Sequence, residues 1–185
     1  MSTPADPVAQ LLAGIRAQAQ MWASAHAAAR AGWRHASFPA LLLEHGRLFT
    51  PAPRPAHLIP GAPGSCFASA TRLAETHETL IYVEGMALTG SEPLGFDHAW
   101  CVDADGRVVD STLPDGYGRA YVGVPLTDAY RRSQQAARAT DAVLTVDRVG
   151  WSDNAAVLQH GLPAAAICDL GQRLPRPAGE TDVCR

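Results

Sequence analysis

Five prolines fall between Pro51 and Pro63, and neither a regular helix nor a central strand can run through such a stretch. The segment divides the chain. Before it, apolar residues recur at helical spacing; after it, they fall into strand-like runs separated by Gly, Pro and Asp. The prolines themselves make a stiff, extended lead-in that delivers the chain to Gly64-Ser65-Cys66.

Upstream, Asp6-Pro7 reads as an N-cap followed by proline at the first helical position. Val8, Leu11, Leu12, Ile15, Ala19 and Trp22 then share one helical face, with Gly32 as the expected stop. The polar face carries no lysine cluster, so this helix is expected to pack on a core rather than lie on a membrane. Ser37 to His45 reads as a second helix ending at Gly46, and residues 67–77 have helical composition, which puts Cys66 at a helix N-terminus. Strands are expected at 79–84, continuing past Gly85 to Leu88, and at 97–102, 107–112 and 120–124. Thr127 caps an expected helix running to about Ala139. A fifth strand is expected at 143–146, and Asp153 caps a short helix ending near Gly161.

Helices first and a hairpin-rich sheet afterwards point to an α+β fold, with helices packed on an antiparallel β-sheet. The length fits one domain. Its parts are a helical region (1–50), the proline-rich lead-in (51–64), a core that carries the chemistry (65–126), a helix and strand completion (127–173) and a loose tail (174–185).

Charge and composition narrow the function. Fifteen basic residues face 18 acidic ones, with no cluster that would track phosphates, so no nucleic-acid partner is expected. No apolar run approaches the ~20 residues that span a bilayer, so no membrane partner is expected either. Residues 1–7 hold no basic segment followed by an apolar run, which argues against a secretory signal. Cys66, Cys101, Cys168 and Cys184 show no Cys-x-x-Cys spacing and are too few for a disulfide framework. The expectation is a reduced, cytoplasmic protein of a bacterium or phage. Every basic residue is arginine. The single asparagine fits the same GC-rich codon usage, but whatever its cause the absence of lysine excludes a lysine nucleophile or Schiff base.

Cys66, His98 and Asp110 carry the chemistry. A thiol needs a base to become a nucleophilic thiolate, and the base needs a third group to hold its tautomer and orientation. A helix N-terminus adds partial positive charge and free backbone N–H groups able to hold an oxyanion. The hairpin register can be derived from the sequence. If the loop is Ala104-Asp105-Gly106, with Gly106 left-handed, Asp103 pairs with Arg107 and Trp100 with Asp110. His98 and Asp110 then share a face, one diagonal apart. A loop one residue shorter or longer puts Asp110 on the other face. Asp103 and Asp105 are better read as turn formers.

No metal and no cofactor are expected. His98 and Cys101 lie three apart, and strand positions three apart point to opposite faces, which argues against shared zinc ligation with Cys66. Gly61-Ala62-Pro63-Gly64 has a proline where a phosphate loop needs amide donors.

Gly64-Ser65-Cys66-Phe67, Tyr82-Val83-Glu84-Gly85, His98-Ala99-Trp100 and the run from Asp105 to Thr112 together resemble the papain-like, transglutaminase-like superfamily of cysteine enzymes. The likeness is greatest to small bacterial and phage proteins of that type, and Tyr121 to Pro125 resembles a segment that follows their triad. The order and hairpin are also similar to arylamine N-acetyltransferases and lasso-peptide leader peptidases. The resemblance spans roughly residues 60 to 126. It implies a papain-like fold and acyl transfer through a thioester on Cys66, with His98 as base and then acid and Asp110 orienting it. The substrate would be a small molecule or peptide bearing an amide or thioester. Water as acceptor gives a peptidase or amidase; an amine gives a transglutaminase-like or N-acyltransferase enzyme. A catalytically silent binding protein on the same fold is the remaining alternative. Trp100 and Tyr82 are candidate substrate contacts. Papain-type peptidases place a glutamine before the nucleophile, and none lies between residues 21 and 65 here. The second oxyanion donor is open, with His57 and a lead-in backbone amide as candidates.

Overall fold

The computed structural model describes residues 6–90, 93–145 and 155–175. Helix α1 (Pro7–Ala25) starts where its cap dictates: the Asp6 carboxylate accepts from Val8 N at 3.1 Å. Leu11, Leu12, Ile15 and Ala19 are its buried stripe. Trp22, expected on that stripe, is 40% exposed and stacks on His26, and α1 ends at Ala25 rather than reaching Gly32. No buried residue holds the alanine-rich stretch beyond Trp22 in a helix, so the last turns are single turns. Helix α2 (Phe38–His45) is capped by Ser37, whose Oγ accepts from Ala40 N at 3.2 Å.

Short strand β1 (Arg47–Phe49), for which the sequence gives no pattern, follows α2 at once. The proline-rich segment then crosses to α3 (Cys66–Thr76) without regular structure. Strands β2 (Ile81–Thr89), β3 (Phe96–Val102), β4 (Val108–Val109) and β5 (Gly118–Pro125) come next, then α4 (Asp128–Arg138), α5 (Ala155–His160) and β6 (Gln172–Arg173). The sheet order is β4-β3-β2-β5-β1-β6, with every neighbouring pair antiparallel. The architecture is thus α+β, helices on an antiparallel sheet.

Both faces of the sheet are covered. On one, Tyr82, Met86, Ala99, Cys101, Val122 and Val124 pack with Leu11, Ile15, Leu41, Leu42 and Ala70 from the first three helices. On the other, Val83, Ala87, Trp100, Val102, Val108, Tyr121 and Phe49 form a smaller cluster. Each fully buried aliphatic or aromatic side chain contributes roughly 1.5–3 kcal/mol over leaving it in water. Room for the Trp100 ring comes from Gly123, where an added Cβ would meet Trp100 Cη2 at 2.7 Å and Val83 Cγ1 at 2.7 Å.

Two expected strands are corrected. The run 107–112 forms a strand only at Val108 and Val109, with Arg107 in an isolated bridge to Thr50, because Asp110 turns the chain: its Oδ1 accepts from Thr112 N at 2.9 Å and Leu113 N at 3.1 Å. Residues 143–145 make no strand. Their amides donate instead to the buried carboxylate of Glu84, Val143 N to Oε2 at 2.7 Å and Leu144 N to Oε1 at 2.8 Å, with Thr145 N on the same oxygen. Val146, the Asp153 cap, Cys184 and the tail beyond 175 lie outside the described residues. The short helix does end at His160, just before Gly161. Helix α4 docks through Arg131, whose buried guanidinium ion-pairs with Asp128, hydrogen-bonds Gln135 and lies 5.9 Å from the Tyr82 ring centroid. A buried cation holds its place only when partnered in this way. No helix among the described residues is long and apolar enough to cross a membrane.

Candidate active site

Cys66 is the first residue of α3. Gly64, at φ +77°, turns the chain into the helix. Ser65 stands at the cap position, but its hydroxyl donates to Ala62 O at 2.6 Å and lies 2.9 Å from Ser69 Oγ, so no side chain caps the helix. The first amides of α3 are left without a side-chain acceptor, beside the thiol.

The hairpin has the register derived above. Cys101 pairs with Val109 and Val102 with Val108. The turn closes with Gly106 at φ +73°, Gly106 N bonded to Asp103 O at 3.0 Å and Asp103 N to Arg107 O at 3.1 Å. Asp103 is a turn former, since its Oδ1 accepts from the amides of Asp105 and Arg107, both at 2.9 Å. His98 and Asp110 consequently share a face, and His98 Nε2 lies 2.6 Å from Asp110 Oδ2. Both are buried.

Asp110 is saturated. Its Oδ1 takes two backbone amides and the Thr112 hydroxyl (3.0 Å); its Oδ2 takes His98 and the Tyr121 hydroxyl (3.2 Å). Burial would raise its pKa, but the His98 bond, the His98 charge and the two amides hold it below the usual carboxylate range. Burial would likewise lower His98; the Asp110 bond, the nearby Cys66 thiol and the charges of both overcome that and raise it to about 9. The other ring nitrogen, Nδ1, is buried and has no hydrogen-bond partner among the described residues. The imidazole rests on Trp100, 5.9 Å between centroids and 23° from parallel.

Cys66 and His98 line one cavity of about 710 Å³. Phe67, Phe96, Leu113 and the prolines at 63 and 114 make its apolar wall, with Gly64, Asp97 and Thr112 completing it. The structure therefore brings Cys66, His98 and Asp110 to one place. It does not bring Trp100 or Tyr82 to the cavity wall. Trp100 is 1% exposed beneath His98, and Tyr82, also 1% exposed, points to the opposite face, where its hydroxyl donates to Glu84 Oε2 at 3.0 Å. Neither side chain can touch a bound substrate from there. His57 faces His77 (6.3 Å) across a different cavity and is not a second oxyanion donor for Cys66. Cys101 is a core residue whose Sγ donates to Ala70 O at 3.3 Å, facing away from His98.

Two site residues carry no obvious sequence signal. Tyr121 reaches Asp110 from β5, a contact that only the sheet order β3-β2-β5 and the reach of a tyrosine create. Asp97 lines the wall as the second residue of β3, next to His98. As for metals, His35, Glu44 and His45 place donor atoms within 4.8 Å of one another, but the Arg34 guanidinium already ion-pairs with Glu44.

No protein-family model matches the chain, and neither a curated protein nor a solved structure matches it.

Proposed function

We propose that the protein is a thiol-dependent acyl-transfer enzyme of the papain-like, transglutaminase-like kind, acting as a hydrolase on an amide bond. The observation that carries this reading is the 2.6 Å bond from His98 Nε2 to Asp110, which leaves His98 Nδ1 unpartnered in a cavity shared with Cys66. With Asp110 accepting the Nε2 proton, Nδ1 is the ring nitrogen that exchanges a proton with Cys66.

In the proposed cycle, Cys66 Sγ attacks the substrate carbonyl and its proton passes to His98 Nδ1. The oxyanion lies against the uncapped amides of α3. The C–N bond breaks, and the leaving amine takes the proton from Nδ1. A water then attacks the Cys66 thioester, giving its proton to His98; the acid departs and the Cys66 thiol re-forms. Asp110 keeps its charge throughout and holds the imidazolium that forms twice per turnover.

Limiting iodoacetamide at neutral pH, with the adducts mapped by mass, tests the reading. Cys66 is expected to react at least tenfold faster than the half-buried Cys168, and His98→Ala to remove that advantage. Equal slow labelling of Cys66 and Cys168 would refute it.

A further inference from the structure

We infer that Asp97 forms a cation-recognition subsite beside Cys66, so that the preferred substrate carries an ammonium or guanidinium group next to the bond attacked. This inference rests on the thiol-enzyme reading for the word substrate, but the site itself stands on separate observations. Asp97 lies on the wall of the Cys66 cavity, one residue before His98 on β3. Of the residues lining that cavity, Cys66, Asp97 and His98 ionise, and no arginine is among them.

The Asp97 carboxylate has no hydrogen-bonding or ion-pairing partner among the described residues. It also borders a second cavity, where Arg30 stands, yet Arg30 is already engaged: its guanidinium donates to Ala36 O and lies 5.1 Å from the centroid of the Trp33 ring. The other acids of the region are occupied, Asp110 by four residues and Glu84 by the 143–145 amides. Asp97 is exposed, but enough protein crowds its carboxyl to push it up to about 6, helped by the Glu84 charge; it is still ionised at neutral pH. Phe67, Phe96 and Leu113 make the rest of the wall apolar, which lowers the screening between Asp97 and a bound charge. Even with His98 protonated, the two carboxylates of Asp97 and Asp110 leave the cleft net negative. A cationic group is what this arrangement attracts and an anionic group what it repels.

The test uses two methanethiosulfonates of similar size, one ending in trimethylammonium and one in sulfonate. Each is attacked at its sulfenyl sulfur by the Cys66 thiolate, forming a mixed disulfide and releasing methanesulfinate. The ratio of the two rates at Cys66, read by mass mapping at pH 7.5 and divided by the same ratio for a small free thiol, reports the local charge. A normalised ratio of about ten or more is expected, falling at least threefold in Asp97→Asn and persisting in Asp97→Glu. A normalised ratio near one, or a ratio unchanged by Asp97→Asn, overturns the inference. Both outcomes are readable whether Cys66 reacts fast or slowly. Slow reaction with both reagents counts against the enzyme reading, while loss of charge preference counts against Asp97.

Discussion

The Tyr121 hydroxyl and the His98 imidazole meet on a single oxygen, Asp110 Oδ2, at 3.2 and 2.6 Å. Tyr121 stands on β5, His98 on β3, and β2 runs between them. On the proposed reading Tyr121 is therefore a positioning residue, acting on the imidazole through the carboxylate they share.

Tyr121→Phe removes one donor from that oxygen. The loss of one such bond, about 1 kcal/mol, corresponds to roughly fivefold slower Cys66 alkylation. A purely structural role would stop there. A positioning role also moves the His98 titration upward, because the carboxylate charge is less shared and falls more fully on the imidazole. Proton NMR of the His98 ring in native protein and variant checks this; an unmoved titration with a slower rate would remove the positioning role.

His98 ties stability to pH. It titrates at about 9 when folded, against 6.5 for an ordinary histidine. Its contribution is fully present below pH 6.5 and is lost as pH rises through about 9, on the order of 3 kcal/mol in all. The gap in urea midpoint between the native protein and His98→Gln should narrow between pH 6.5 and pH 10. Parallel pH dependence in the two proteins would show that the folded histidine holds its proton no more tightly than the unfolded one.

Glu84→Gln tests the anchor behind the sheet. The carboxylate is fully buried and takes the amides of Val143, Leu144 and Thr145, the Thr145 hydroxyl at 2.8 Å and the Tyr82 hydroxyl. A glutamine presents N–H groups where only acceptors fit, at a cost of about 3 kcal/mol. Hydrogen exchange at residues 143–145 should lose its protection well before exchange in α1 changes. Unchanged protection at those three amides would mean that something else holds the segment.

How far the sequence could be read follows from where each piece of information resides. The 97–112 hairpin was legible because its turn chemistry is local: Asp103 and Gly106 specify a three-residue loop, and the loop length sets which face Asp110 takes. Cys66 was legible because Gly64 and a helical run bracket it. The cap at Asp6 was legible for the same reason; Ser37, expected inside the second helix, caps it instead. Strands β1 and β6 were not, since three and two residues give no periodicity, and only partners far along the chain make them strands. The 143–145 segment was misread because Val143 and Leu144 look like a strand, while the acceptor that occupies their amides lies some 60 positions earlier in Glu84. Trp100 and Tyr82 looked like substrate contacts because aromatic residues beside a candidate histidine serve a cleft or a core equally well. Which of the two depends on packing that involves Gly123 and Arg131.

The Asp110 carboxylate does two jobs with its two oxygens, one reversing the chain at Thr112 and Leu113, the other holding an imidazole. A ribosome-bound chain that has not yet closed this corner carries Cys66 beside a histidine that Asp110 does not yet hold. On the proposed reading, the newly made protein is harmless to its neighbours until that corner has closed, and chemical competence arrives together with the folded hairpin.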